Sequence, residues 1–361
     1  MGKIKWGIMG PGGIARTFAR SLPASKTGEL FAVGSRALER AEAFGDEFGI
    51  PRCYGSYDQL LTDGEVDAVY VALPNHAHLE WAVKTAQAGK AVLCEKPLTV
   101  NAAEAEQLFA AVRETGVFFM EAFMYRCHPQ THKLIELVRD GAIGEVRVIQ
   151  VAFSYDLGDS DQAYANIRRR NDVAGGGIMD VGCYTTSMAR LIAGAALGLA
   201  GPAEPDSLAG AAHIGKRGRV DEWAAAVARF PARDGSSGGY SSSGNIVANL
   251  ICGTGARVLS DVRVWGSDGS IVVPIPWKPA TGEIILTRSG KEPETIVVPT
   301  EADCYALEAD VVAANLSNQE APYPCMTWDD TLNNMVALDQ WRASIGLIFD
   351  TERGLRPEPL G

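Results

Sequence analysis

Along the first third of the chain, apolar residues alternate between short continuous runs and spaced stripes. Residues 3–9 (KIKWGIM) read as a short strand, and 13–22 carry Ile14, Phe18 and Leu22 at the i, i+4, i+8 spacing of a helix packed on a sheet. Leu30–Gly34 reads as the next strand, and Ala37–Phe48 as a helix with Ala41, Phe44 and Phe48 on one face. Val66–Ala72 is almost wholly apolar, as a strand buried on both faces requires. The alternation continues through a helix at Ala77–Ala88, a strand at Ala91–Cys94, a helix at Asn101–Thr115 and a strand at Val117–Met120. Asn101 serves as the cap of its helix, with Glu104 at the third helical position. This β-α-β-α rhythm predicts an α/β fold, a doubly wound parallel sheet with helices on both faces. Ligands of such sheets bind at the carboxyl ends of the strands. The functional argument therefore falls on Gly10–Gly13, Ser35–Arg36, Leu73–His78, Glu95–Pro97 and Glu121–Arg126.

The rhythm then changes. Pro129–Arg139 reads as a helix, Glu145–Tyr155 as a long alternating strand and Val181–Ile192 as a helix. Strand-like runs follow without long helices between them, at Trp223–Phe230, Asn245–Ile251, Arg257–Val264, Ser270–Val273, Glu283–Thr287 and Thr295–Val298. They predict an α+β C-terminal domain with an antiparallel or mixed sheet. Asp234–Gly244 is a Gly/Ser-rich hairpin tip or loop, and two helices near 303–316 and 328–346 close the chain. The expected division is a dinucleotide-binding domain over 1–125 and a second domain over 126–361.

The charge balance narrows the function classes. The 361 residues carry a formal net charge of −11, a balance that argues against general nucleic-acid binding. The uncharged run Leu191–Ala203 is too short for a membrane span, and glycines and a proline break it. No apolar signal-peptide core follows the N-terminus, and the 7 cysteines form no CxxC pair, so a reduced, cytoplasmic protein is expected. Neither His76/His78 nor His128/His132 has a matching acidic or Cys cluster beside it, so no metal site is expected.

Four motifs carry chemistry. Gly10-Pro11-Gly12-Gly13-Ile14-Ala15 fits G-x-G-x-x-A between the first strand and the first helix. There the glycines admit a pyrophosphate to the backbone, and the helix start offers it N–H groups. The second strand ends in Ser35-Arg36, with Arg40 one turn on, where an NAD site usually places an acid. A hydroxyl and two guanidinium groups suit a 2′-phosphate, so NADP(H) is favoured, with NAD(H) as the alternative. Glu95-Lys96-Pro97 ends the fourth strand; Pro97 stiffens the turn, its X–Pro bond can be cis, and Lys96 can stabilise a developing alkoxide or be a plain surface lysine. In Gly175–Tyr184 (GGGIMDVGCY), Asp180 and Tyr184 share one helical face, as a proton-handling pair or as a helix cap and a core tyrosine. Asn166-Ile167-Arg168-Arg169-Arg170 just upstream concentrates polar donors suited to a polyhydroxylated ligand.

Taken together, GIMGPGGIA (7–15), GSR (34–36), LPNHAH (73–78), CEKPLTVN (94–101), EAFMYRCHP (121–129), NIRRRNDVAGGGIMDVGCY (166–184) and LDQWR (338–342) resemble the Gfo/Idh/MocA oxidoreductases. The resemblance is strongest to the branch of glucose–fructose oxidoreductase, NADP-dependent xylose dehydrogenase and dihydrodiol dehydrogenase. It implies a Rossmann domain, a second domain with a large, mostly antiparallel open sheet, and homodimers or homotetramers formed through that sheet. It implies hydride transfer between a nicotinamide and a carbinol carbon of a sugar or related polyol. Carried over by motif, Lys96 is the catalytic lysine, Tyr184 the proton donor and acceptor, and Asp180 the partner of a substrate hydroxyl. Arg126, Asn166 and Arg168 line the substrate site. Leu73, Pro74, Asn75, His76 and His78 run along the cofactor, beside Glu95 and Pro97. Residues 168–172 are more charged than the family pattern, and 193–205 is slightly extended. Three other readings stay open: a bound-cofactor sugar–sugar oxidoreductase, a trans-dihydrodiol dehydrogenase, and a non-catalytic dinucleotide-binding regulator.

Overall fold

The computed structural model describes residues 2–231 and 245–357, so the expected 234–244 loop lies outside the described residues. The described chain runs β1 (Ile4–Met9), α1 (Gly13–Ser21), β2 (Gly28–Gly34), α2 (Leu38–Phe48), β3 (Arg52–Tyr54), α3 (Tyr57–Thr62), β4 (Ala68–Val71), α4 (His78–Gln87), β5 (Ala91–Glu95), α5 (Ala102–Thr115) and β6 (Phe119–Ala122). It continues through α6 (Pro129–Arg139), β7 (Val146–Ser154), α7 (Asp161–Ala165), α8 (Cys183–Ala196), β8 (Ser207–Ile214), β9 (Asp221–Phe230) and β10 (Ile246–Gly253). The last elements are β11 (Val262–Gly266), β12 (Gly269–Val273), β13 (Glu283–Arg288), β14 (Glu294–Val297), α9 (Cys304–Ala314) and α10 (Trp328–Ser344).

Two compact units result. The first comprises the chain up to His128 together with Glu301–Leu332; the second comprises Pro129–Thr300 and the chain from Asn333 onward. The expected boundary at 125/126 lies close to the first observed crossing. The single cut does not describe the C-terminal part, because α9 returns to pack on α1 within the first unit. The return is held by a specific contact: Asp310 on α9 accepts hydrogen bonds from Ser25 Oγ at 2.6 Å and from the Thr27 backbone N–H at 3.1 Å.

The first unit is built on a six-stranded parallel sheet of order β3-β2-β1-β4-β5-β6. β4 is buried along its whole length, as its apolar run demands. Phe18 of α1 packs edge-on to Trp6 of β1 (ring centroids 5.3 Å apart) and stacks on Tyr70 of β4 at 4.2 Å. Asn101 caps α5 by accepting the Glu104 N–H at 3.0 Å. The strand order reverses between β1 and β4, and that reversal opens the ligand crevice of such sheets.

The second unit is an eight-stranded sheet of order β14-β13-β12-β11-β7-β10-β9-β8, antiparallel except where β10 runs parallel to β7. Ile149, Val151, Ala248, Leu250, Cys252, Val262 and Val264 face inward and are buried, with α8 packed on β7 and β10. The other face is open and carries large apolar side chains among polar ones: Trp223, Val227, Val247, Val148 and Trp265 are 41%, 55%, 40%, 41% and 37% exposed. Register places Val148 opposite both Val247 and Trp265, while Val227 and Trp223 lie farther along the sheet, opposite Asn249 and Gly253.

Three local expectations shift. β3 and α3 are short and were not legible as elements, because neither spans enough residues to show a period. Strand β11 begins at Val262 and not at Arg257. The helix expected over Val181–Ile192 is present as α8 from Cys183, and a π-turn over Ile178–Gly182 leads into it.

Candidate active site

The first unit carries the glycine-rich turn at the carboxyl end of β1. Gly10 has φ +93°, and a Cβ there would meet Ala72 O at 2.9 Å and Leu73 Cδ2 at 2.8 Å, so only glycine lets β1 and β4 end this close together. At Gly12 and Gly13 a Cβ would meet nothing within 4 Å; both are exposed, and Ile14 is half-buried behind them. No side chain caps the start of α1 at Gly12. The turn thus presents open space in front of helix N–H groups, as a pyrophosphate requires.

At the end of β2, Ser35 is buried, with the Ala37 N–H 3.4 Å from its Oγ, while Arg36 and Arg40 are exposed. Among the described residues neither guanidinium is in an ion pair. Two exposed cations at this strand end make a surface for added negative charge.

The 73–78 stretch and the Glu95–Pro97 turn are stapled together. His78 is fully buried; its Nδ1 lies 3.0 Å from Pro97 O and 3.2 Å from Leu98 O, and its Nε2 lies 2.7 Å from Leu73 O. Burial holds the imidazole at about 4, so it is neutral at physiological pH. The ring expected to touch cofactor is enclosed, and its observed work is to tie two loops. Leu73, Pro74, Asn75 and His76 stay half-buried at the turn. Glu95 points inward, accepting from Tyr70 Oη and, at 3.2 Å, from the Lys96 N–H; the Lys96–Pro97 peptide is cis, and Lys96 is half-buried.

Arg126 departs from expectation. Its guanidinium is 0% exposed and donates to Pro324 O at 2.6 Å and Asp330 Oδ2 at 2.6 Å, all within the first unit. A fully enclosed, paired arginine holds the returning 324–330 segment and is not available to a substrate. Two buried acids nearby went unremarked in the sequence. Glu121 accepts the Leu98 N–H at 2.8 Å, and burial pushes its carboxyl up to about 8. Glu308 has neither oxygen hydrogen-bonded among the described residues, and burial pushes it far above the carboxylate range. Both interrupt apolar stretches, the one signal that could have flagged them.

The second unit carries the 166–184 stretch. Asn166 accepts the Arg168 N–H at 3.0 Å and so shapes the turn before the three arginines. These then diverge. Arg168 Nε is 2.9 Å from Asp180 Oδ1, Arg169 is buried against Glu222 at 2.6 Å, and Arg170 pairs with Asp172. The other Asp180 oxygen accepts from Tyr155 Oη, a residue the sequence reading missed although it closes the predicted 145–155 strand. Burial, then the Asp180 charge, push the Tyr155 phenol far above its ordinary value, so it remains a donor. Tyr184, one helical turn past Asp180, is 5% exposed and lies edge-on to Phe153 and Trp277, with centroids 5.2 and 5.5 Å away. Trp277 is itself fixed by its Nε1 donating to Ala152 O at 3.1 Å.

Sequence comparison decides the family. The profile of the oxidoreductase family with an NAD-binding Rossmann fold, Gfo/Idh/MocA, matches residues 4–123, and the profile of its C-terminal domain matches 131–272. The chain belongs to the Gfo/Idh/MocA oxidoreductases. Within the family it is 30% identical to trans-1,2-dihydrobenzene-1,2-diol dehydrogenase of Mus musculus, over 97% of this chain and 99% of that protein. It is 45% identical to D-xylose 1-dehydrogenase (NADP(+)) 2 of Haloferax volcanii, over 53% of this chain and 58% of the other. Among solved structures it is similar to a 3-ketoreductase from Actinomadura kijaniata in complex with NADP and TDP-benzene (TM-score 0.79, 29% identity, 95% and 98% of the two chains). No helix among the described residues is long and apolar enough to cross a membrane.

Proposed function

We propose that this Gfo/Idh/MocA oxidoreductase is an NADP(H)-dependent dehydrogenase or reductase acting on a carbinol or carbonyl carbon of a sugar or related polyol. The carrying observation is the Asp180 carboxylate, held at both oxygens by Arg168 and Tyr155 one turn before Tyr184. A carboxylate oriented by a guanidinium and a phenol is suited to accept a substrate hydroxyl.

The turn at Gly10, Gly12, Gly13 and Ile14 fits a dinucleotide pyrophosphate, and Ser35, Arg36 and Arg40 fit a 2′-phosphate. Leu73, Pro74, Asn75, His76, Glu95 and Pro97 form the loops assigned to the rest of the cofactor. When bound, the nicotinamide supplies the hydride acceptor in oxidation and the donor in reduction. Tyr184 takes the proton of the substrate hydroxyl, Lys96 lowers the cost of the developing alkoxide through its positive charge, and Asp180 orients the neighbouring hydroxyl. Asn166 and Arg168 shape the substrate side.

A second reading has its own observation. The Tyr184 ring sits against Phe153 and Trp277, which stack at 5.1 Å with a 10° interplanar angle. Such a wall favours an apolar face on the ligand, as a trans-dihydrodiol presents, and a sugar offers only its C–H face to it. We infer further that the open sheet face pairs two copies of the chain, because several large apolar side chains left exposed on one sheet face mark an interface.

The test is absorbance at 340 nm with purified protein, NADP+ or NAD+, and a panel of aldoses, inositols and one trans-diol. Growth with NADP+ and a sugar supports the first reading, growth with the diol alone supports the second, and a flat trace despite tight NADPH binding overturns both as dehydrogenase assignments.

A further inference from the structure

The three glycines at 175–177 are explained by what closes on them. A Cβ at Gly175 would collide with Ile167 O and fall 2.9 Å from Arg170 O. Gly176 has φ +113°, and a Cβ there would collide with Asp221 Oδ1. A Cβ at Gly177 would sit 3.1 Å from Asp221 Oδ2 and 3.1 Å from Gly253 Cα. Asp221 opens β9, is 0% exposed, and accepts the Ile178 N–H on Oδ2 at 2.7 Å. Its Oδ1 has no hydrogen-bond partner among the described residues. Ile178 begins the π-turn that carries Asp180 and leads into α8, which carries Tyr184. Gly176 and Gly177 are thus the recess that lets a distant carboxylate cap this helix entrance, where no local side chain does so among the described residues, while Gly175 makes room for the 167–170 backbone.

We propose that Asp221 is a positioning residue for the reaction: its carboxylate, seated on the glycine turn, fixes where the π-turn begins and thereby aims Asp180 and Tyr184. This rests on the reading of those two residues given above. Side chains that do chemistry need their supporting partners locked, and a displacement near 1 Å is enough to slow turnover markedly. A π-turn is itself a common device at functional sites, and here it has an identifiable anchor.

The anchor is sensitive to pH. Burial pushes the Asp221 carboxyl up to about 7, against the opposing pull of the Ile178 and Gly177 N–H groups and of Arg342. Its titratable surroundings are few. Arg342 of α10 is held by Asp339 and Glu352, Cys252 of β10 has a thiol that burial keeps neutral, and Asp180 of the π-turn is held by Arg168 and Tyr155. On its own strand Glu222 is tied to Arg169, and on β8 His213 is stacked on Trp223. The ionised carboxylate holds helix N–H groups more strongly than the neutral acid does. Turnover is therefore expected to fall on the acid side of pH 7.

Asp221→Asn tests this with two readouts. One is the kcat–pH profile on whichever substrate the panel identifies. The other is the near-UV circular dichroism of the Tyr184–Trp277 pair (wild type minus Trp277→Phe), which needs no substrate. The wild type should show a transition near pH 7 in both. D221N should lose both transitions, lower kcat by roughly tenfold at pH 8 with a smaller change in KM, and leave NADPH affinity unchanged. Should D221N fail to fold, Gly177→Ala presses on the same contact without altering charge and should lower kcat in the same way. A wild-type near-UV signal flat from pH 6 to 8, or a D221N enzyme with wild-type kcat and an unchanged acid limb, overturns the proposal. A near-UV transition abolished in D221N supports it even if no substrate turns over, in which case only the functional reading fails.

Discussion

Arg168 and Asp180 meet at 2.9 Å, Nε to Oδ1, with Tyr155 Oη donating to the second oxygen of the same carboxylate. The pair lies within one unit, and the Arg168 side chain is 37% exposed against 11% for Asp180. The arginine therefore contributes little to stability, but it fixes the direction of a nearly buried acceptor. Arg168→Gln and Tyr155→Phe should each lower kcat by about tenfold or more, since a hydrogen bond to a charged group contributes roughly 1.5–3 kcal/mol. Steady-state kinetics alongside a thermal melt checks this: turnover should fall in both variants, while the melting temperature hardly moves for Arg168→Gln, whose guanidinium is the more exposed partner.

Cofactor choice should follow Arg36. Removing a guanidinium from a 2′-phosphate costs roughly 1.5–3 kcal/mol, or about 10–100-fold in the NADP+ to NAD+ ratio of kcat/KM. Arg36→Ala should show that drop with the NAD+ rate little altered. An unchanged ratio would remove Arg36 from the cofactor site.

The open sheet face makes an assembly prediction. Trp223 and Val227 lie on the same face of β9, opposite His213 and Ala209 of β8. A Trp223→Glu/Val227→Glu double variant should run as a monomer in light scattering while the wild type runs as a dimer or a larger even-numbered assembly. A monomeric wild type would remove the proposed pairing.

Buried acids give stability a pH slope. Burial raises the Glu121 carboxyl to about 8 in the folded chain, above its ordinary value of 4.5. Between those values the folded state holds a proton that the unfolded state has lost, so stability falls as pH rises through that window and levels off above it. Glu121→Gln should flatten the slope and gain on the wild type at pH 8, as read from denaturant melts at several pH values. An identical slope in both proteins would show that Glu121 is ionised throughout.

Much of the fold was legible because its first half repeats one simple rule. Runs such as 66–72 and stripes such as Ile14, Phe18 and Leu22 each bury a single face, and local pattern reports that directly. The glycine turn was legible because Gly10 answers to backbone geometry and Gly12 leaves open space before the helix start. What stayed hidden depends on partners distant in sequence. The return of 301–332 to the first unit rests on Asp310 meeting Ser25 and Thr27. Arg126 read as a site residue because its motif lies at a strand's carboxyl end, yet Asp330 draws it inward. Tyr155 and Asp221 act on residues 25 and 43 positions away along the chain, beyond the reach of any periodicity.

The most direct test of the central claim pairs two numbers for each of two variants, Lys96→Ala and Tyr184→Phe: kcat from absorbance at 340 nm, and NADPH affinity from fluorescence titration. If these residues serve the chemical step, kcat falls by roughly 100-fold or more, the usual scale for a positioned acid–base group, while NADPH affinity stays within about twofold. Variants that keep wild-type kcat, or that lose cofactor binding in proportion to turnover, would contradict the account.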